Sequence, residues 1–451
     1  MRLLLHGGDT MLGRAVQLTF PHQAVGEEVL TDSTTAWNYL LLAMHSLRCK
    51  GTLVPMNMDE LQAIRQQNRD GSYLWGEFFH RLVILPPPDV RILNLETAVT
   101  EKIDNADIPH KGINYHFHAM NIPLAFKSFS AAVFAPVGSH TLPSPYVISL
   151  ANNHVLDFGR QAFENETLEA IRRLPGDAHI VGAGLSFDQA ARAAQIRLAH
   201  NNRAVSVIAV TTECAGTPYD WNATAKRSGM ICLPAILSAH SVDRAMNQIT
   251  EILRMNGLLP PRHPEEDFVV LSVHWGPNWA YRYRDDLDYQ RYRQQLAHRI
   301  VHELGVELIY GHSSHHIRGL EIFEGKLIIY GAGDLVNDYE GFENPGDEAY
   351  NKLGALFLVD LYPATGNLQT LRLVPTVMDR LQLKQVTSDT LTMHWCPQHQ
   401  CMKPIVNPIS GLRDAVNKLS SMDVGCHGEA VELRMVENDD AVPDATILRY
   451  P

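Results

Sequence analysis

The sequence predicts an α/β protein, and three features carry that expectation. Apolar runs of strand length alternate with stretches whose apolar residues recur every three or four positions. Several of the apolar runs stop at a glycine turn or a polar cluster. The residues that follow are repeatedly Asp, Glu, Asn or His, and the carboxyl edge of a sheet is where α/β proteins place ligands. With 451 residues, 45% of them hydrophobic and 20% charged, the chain can bury a sizeable core. Its 38 basic against 50 acidic residues, a net charge of −12, argue against gripping a phosphate backbone by bulk charge, so nucleic acid is not an expected partner.

The first strand, Arg2 to His6, runs into Gly7-Gly8-Asp9, with Arg14 beyond it. Asp9 is a candidate ligand, or else the N-cap of a segment beginning near Met11. The apolar run in MRLLLHGGDTML breaks after three leucines, which suits a strand better than a signal peptide. No window reaches the roughly 18 apolar residues of a membrane span, and the six cysteines are sparse. A cytoplasmic protein with free thiols and no integral membrane segment is therefore expected. From Pro21 to Pro88 the pattern is helical, in three stretches: Thr35 to Leu47, Glu60 to Asn68 and Tyr73 to Leu85.

The second strand, Val90 to Leu95, ends in Glu96, which must reach solvent or meet a cation. Lys111 to Tyr115 offers a lysine and backbone amides to an anion, or is a solvated loop. The run YVISLANNHVLDFG, Tyr146 to Gly159, again ends in polar groups, Asn152, Asn153 and His154. Asp157 can hold one nitrogen of His154 and fix its tautomer. An Asx turn with a helix cap would explain the Asn and Asp but not the histidine.

Beyond the helix Gln161 to Leu174, the strand Ala204 to Val210 and the helix Val242 to Leu253, the strand Phe268 to Val273 ends in His274. An amphipathic helix, Asp286 to Leu304, then leads into the strand Val306 to Tyr310 and the cluster His312, His315 and His316. Held at a sheet edge these imidazoles make half of a transition-metal site; in a surface loop they are only histidine-rich. A hairpin at Glu324-Gly325 follows, its second arm ending in Gly331-Ala332-Gly333-Asp334, ahead of the strands Ala355 to Leu361 and Leu368 to Val374. In the tail, His394, Cys396, His399 and Cys401 could clip a zinc, but their spacing fits no common structural site and a free loop is the expectation.

Taken together and in order, GDTMLGR, NLET, KGINY, LANNHVLDFG, HWG, GHSSHH and GDLVNDYEG resemble the CapA family, over roughly residues 3 to 378. These are bacterial proteins of poly-γ-glutamate capsule synthesis, within the calcineurin-like metallophosphoesterases. The resemblance implies a four-layer α/β/β/α sandwich over residues 1–378, with a helical insertion at about 21–88 and a C-terminal appendage at 379–451. It implies one or two divalent transition metals, Mn, Fe or Zn. Asp9 and His315 would hold one, Asn153, His274 and His312 the other, and Glu96 would bridge them. His154, steadied by Asp157, would protonate the leaving group, and Arg14 and Lys111 are the expected substrate contacts. Two departures stand out: Met11 occupies a place where the wider superfamily has a ligating histidine, and Glu96 one where it has aspartate. The implied function is a metal-dependent hydrolase of a phosphoester or a γ-glutamyl amide, acting on a small molecule or capsule polymer, with capsule-synthesis proteins as partners. The alternative is a non-catalytic or single-metal binding component of a polymer synthesis or export assembly.

Overall fold

Along the first strand, Arg2–Thr10, the leucines alternate between two apolar environments. Leu3 and Leu5 pack with Ile92, Val147, Val207, Val270 and Leu308, whereas Leu4 joins Leu93, Ile148, Phe126 and Phe129. A strand apolar on both faces needs a covering layer on each. The computed structural model supplies them, describing residues 1–24, 36–45, 58–103, 112–198, 203–262, 267–278, 287–340, 350, 352–387, 390, 393–396, 401–404, 407–423 and 428–451. Among these residues the strands build two large sheets, of ten and eight strands. Strands of the second sheet alternate likewise: Val207 and Val270 face the first sheet, while Ile208, Val269 and Leu271 face Val242, Ile249, Leu296 and Ile300 of the helices Ala239–Met255 and Leu287–Leu304. Helix, sheet, sheet and helix are thus stacked in the four layers that the resemblance implies.

In the first sheet Ala178–Val181, Tyr146–Ser149, Val90–Leu95 and Arg2–Thr10 are parallel neighbours, and Leu353–Leu361 joins Arg2–Thr10 from the other side, antiparallel. In the second sheet Ala204–Thr212, Asp267–His274, Leu308–His312 and Lys326–Ile329 are parallel. The helices Ala36–His45, Met58–Gln67 and Ser72–Arg81 lie between the first two strands of the first sheet in chain order. After residue 378 the chain returns to both sheets. Gln382–Gln385, Arg434–Val436 and Ile447–Tyr450 extend the first, and Glu429–Ala430 pairs with Leu320–Phe323 in the second. The backbones of His394, Cys396 and Cys401 lie in a hairpin of Met393–Cys396 with Cys401–Pro404, while His399 falls outside the described residues. Among the described residues no helix is long and apolar enough to cross a membrane.

One boundary differs from expectation in a way that shapes the site. The first strand does not stop at His6; it continues through the glycines to Thr10. Gly7 has φ +60°, and a Cβ on Gly8 would sit 2.1 Å from the Gly333 carbonyl oxygen. Glycine is required there because a second backbone passes against it: Asp334–Val336 pairs with the first strand in parallel, Asp9 opposite Asp334. From the second sheet the Tyr310 hydroxyl donates to the Gly7 carbonyl, tying the two layers together at this bend.

His6 faces outward among Phe79, Phe129 and Phe134, its ring centroid 4.7 Å from that of Phe129. Neither ring nitrogen has a hydrogen-bond partner among the described residues. Burial, and then the nearby Arg91 cation, hold the imidazole well below its ordinary value. An imidazole kept neutral in the fold but titrating near 6.5 when unfolded contributes stability fully present above that pH and lost as pH falls below it. His6→Leu is therefore expected to flatten the decline of unfolding free energy between about pH 6.5 and 5. Urea denaturation across that range checks it, and an unaltered slope contradicts the assignment.

Candidate metal centre

The carboxyl ends of the parallel strands from both sheets meet at Asp9, which is fully buried. Its two oxygens look in different directions. Oδ1 accepts from Asn94 Nδ2 at 2.7 Å and lies 3.5 Å from His274 Nδ1; Oδ2 accepts from the Ser313 backbone N–H at 2.9 Å and lies 3.8 Å from His315 Nδ1. On the Oδ1 side, His274 Nε2 is 3.6 Å from Glu96 Oε1 and 3.1 Å from the Asn153 side-chain oxygen. On the Oδ2 side, His315 Nδ1 is 3.0 Å from Asp334 Oδ1, and Asn337 Nδ2 donates to the other Asp334 oxygen at 3.0 Å. Two groups of possible ligand atoms follow, Asp9 with Glu96 and His274, and Asp9 with His315 and Asp334; within each the atoms lie within 4.8 Å of one another.

His154 stands beside this centre with its ring fixed from two directions. Nδ1 is 2.6 Å from Asp157 Oδ2, and the ring stacks on Tyr115 at a centroid distance of 3.8 Å. Asp157 does not cap a helix; the same oxygen accepts from the Tyr115 backbone N–H at 2.6 Å. Within the Lys111 to Tyr115 stretch, the Tyr115 backbone amide is therefore engaged by Asp157. With Nδ1 committed to that carboxylate, Nε2 is left facing the centre, 3.9 Å from Glu96 Oε1. Asn152 orders the approach, donating to the Leu95 carbonyl at 2.8 Å and accepting from the His154 N–H at 3.1 Å.

The structure therefore brings Asp9, Glu96, Asn153, His154, Asp157, His274 and His315 into one buried constellation. His312 lies beside it, its Nε2 2.8 Å from Ser272 Oγ and its ring centroid 6.3 Å from that of His274. Its Nδ1 is buried with no hydrogen-bond partner among the described residues. Arg14 is 3% exposed; its guanidinium ion-pairs with Asp338 and lies 3.8 Å from the ring centroid of Tyr39, with Tyr115 and Tyr339 beyond. Lys111 falls outside the described residues. Sequence reasoning passed over Asn94, Ser313 and Tyr115. It kept Asp334, with His316, only as a substitute ligand for the place that Met11 occupies, although Gly333-Asp334 repeats the Gly8-Asp9 pattern at a strand end.

Electrostatics matches the donor set. Burial alone would raise the Asp9 carboxyl, but His274, His312 and His315 outweigh it and hold the group below the usual carboxylate range. Burial pushes His312 down to about 3 against the pull of Asp9, so it is neutral and able to offer a lone pair. Three buried carboxylates, Asp9, Glu96 and Asp334, among imidazoles and an amide oxygen make a donor set that fits a divalent ion.

A family model described as bacterial capsule synthesis protein PGA_cap matches residues 3–339 of the chain. A Mycobacterium tuberculosis H37Rv protein named as a probable polyglutamine synthesis accessory protein is 32% identical over 390 residues, covering 85% of this chain and 87% of its own length. The PGA biosynthesis protein CapA of Bacillus subtilis 168 is 28% identical over 203 residues, 45% of each chain. A solved phosphatase of Mycoplasma pneumoniae superposes with a TM-score of 0.35 at 9% identity, over 84% of this chain and 94% of its own, a likeness too remote to bear on chemistry.

His274 touches Asp9, Glu96 and Asn153 at once, so its loss opens the centre. His274→Ala is expected to lower the divalent metal bound by purified protein and to lower the Tm of the metal-loaded form, since a ligand bound only to the folded state stabilises it by mass action. Elemental analysis and thermal melts with and without chelator read both, and unchanged metal content refutes the assignment.

Proposed function

The chain belongs to the bacterial capsule synthesis protein family PGA_cap, and from that premise we propose that it is a metal-dependent hydrolase acting in polyglutamate or capsule polymer metabolism. The bond broken is a phosphoester or a γ-glutamyl amide. The observation that supports hydrolysis best is the His154–Asp157 pair turned toward a buried carboxylate–imidazole cluster.

Asp9, Glu96, His274, His312, the Asn153 side-chain oxygen and His315 would hold Mn, Fe or Zn. When bound, such an ion supplies a hydroxide near neutral pH and charge to stabilise the developing oxyanion. The remaining work falls to the chain's own side chains. Asp157 accepts from His154 Nδ1, fixing the tautomer and raising the basicity of the ring. Tyr115 stacks against one face of the imidazole, and with its backbone N–H on Asp157 it keeps the pair from rotating away. His154 Nε2 is thereby positioned to hand a proton to a leaving oxygen or nitrogen, the part of general acid. Arg14, paired with Asp338 behind Tyr115 and Tyr339, supports that wall with its charge.

Metal-loaded protein is expected to hydrolyse a generic phosphodiester or a γ-glutamyl oligomer, and chelation to abolish turnover. His154→Asn is expected to cut kcat by about 10² to 10⁴, the range for losing a general acid, with bound metal unchanged. Loss of metal together with activity would make His154 a ligand. Full metal content with no turnover of either substrate would favour the binding-component alternative.

A further inference from the structure

We infer that the first sheet carries a second binding site, for a small ligand bearing a carboxylate or phosphate, in a cavity at the end of the sheet opposite Asp9 where Thr370, Arg372 and Arg449 converge. The cavity, of about 580 Å³, is lined by these residues together with Arg2, Asp89 and Asp360. That volume is in the range that holds a small molecule. Arg2 opens the strand that carries Asp9 further along, so the two sites stand roughly 20 Å apart at the rise of a strand.

Sheet register assembles the site. Arg2 pairs with Asp360, Asp360 with Thr370, and Arg372 with Arg449, each on neighbouring antiparallel strands. Directly opposed residues share a face. Their same-face neighbours two positions along, Leu4, Leu358, Val374 and Ile447, belong to the outer apolar core, so the polar groups stand where that core gives out. The row of Arg372 and Arg449 continues to Arg434 on the next strand, Arg434–Val436. Like charges directly opposed across strands repel, and something must offset them.

The aspartates do so in part. Arg2 Nε and Nη2 donate to Asp360 at 2.5 and 2.7 Å, and Arg372 Nη1 donates to the same carboxylate at 2.6 Å. Arg372 Nε donates to Asp439 at 2.7 Å, and Arg449 Nη1 reaches the other Asp439 oxygen at 3.1 Å. Asp89 accepts from the Arg2 backbone N–H at 2.8 Å. Arg2, Arg372, Arg449 and Arg434 thus stand against Asp89, Asp360 and Asp439, an excess of positive charge.

The donors left over face the cavity. Both oxygens of Asp360 and of Asp439 are engaged, whereas Arg372 Nη2, Arg449 Nη2 and the Thr370 hydroxyl have no hydrogen-bond partner among the described residues. None of these three atoms is sealed from the cavity, in contrast to Arg449 Nε. Arg372 is 7% exposed and gripped by carboxylates on two sides, so its remaining amino group is fixed in place. Guanidinium edges on a rigid wall match the oxygens of a carboxylate or phosphate. These donors add nothing to the pairing of the strands, and an oxyanion satisfies them.

The test titrates full-length protein, as purified, with inorganic phosphate and separately with glutarate, by calorimetry at constant ionic strength. At least one is expected to bind at millimolar concentration or below, and the tighter of the two tells phosphate-bearing from carboxylate-bearing ligands. Arg449→Gln is expected to raise Kd by about 10-fold or more, as for loss of a charge-assisted hydrogen bond, and the near-isosteric Thr370→Val by about 5-fold. His274→Ala, at the metal centre, is expected to leave Kd unchanged. Circular dichroism shows that each variant is folded, and Thr370→Val decides if Arg449→Gln is not. Binding of neither anion overturns the site, as does a Kd unchanged in the deciding variant. Binding lost in His274→Ala belongs to the metal centre and overturns it equally.

Discussion

A carboxylate with no route to water must be compensated from inside the protein, and Asp9 is the group on which the architecture converges. The cost of burying its charge is offset by an amide side chain from Asn94, a backbone N–H from Ser313 and imidazoles on two sides. Each partner comes from a different strand or turn. Asn94 is supplied by the neighbouring parallel strand, His274 and Ser313 by the opposite sheet. The two sheets are glued by apolar side chains, but their registration at this edge is set by what one aspartate requires.

That requirement explains the backbone at the edge. A strand in ordinary pleat would carry Asp9 past the facing sheet; the bend at Gly7 and the bare Cα of Gly8 let the turn before Asp334 press in beside it. The Tyr310 hydroxyl on the Gly7 carbonyl fixes the bend from the other layer. Family membership and site geometry thus meet in one place, since the matched residues 3–339 contain every group around Asp9.

The stacking in four layers came only from the family resemblance, whereas the α/β class was legible because strand-length apolar runs and three-to-four-residue periodicities are local properties. So was the clustering of ligand-type residues at strand ends: Glu96, Asn153, His154 and His274 each follow an apolar run directly. What was not legible depends on register between elements hundreds of residues apart. Nothing local says that Asp334 lies opposite Asp9, that Ser272 takes one nitrogen of His312, or that Arg14 is tied to Asp338 and buried under tyrosines. The first strand was read too short because two consecutive glycines usually end a strand, whereas here they admit a second backbone.

The first strand lies mid-sheet, between Val90–Leu95 and Leu353–Leu361. A ribosome releases residues in order, at roughly 5 to 20 per second. The first strand therefore waits for some 340 further residues before Leu353–Leu361 covers its second edge. Until then it presents an open row of amides and carbonyls, the template for mispairing and aggregation.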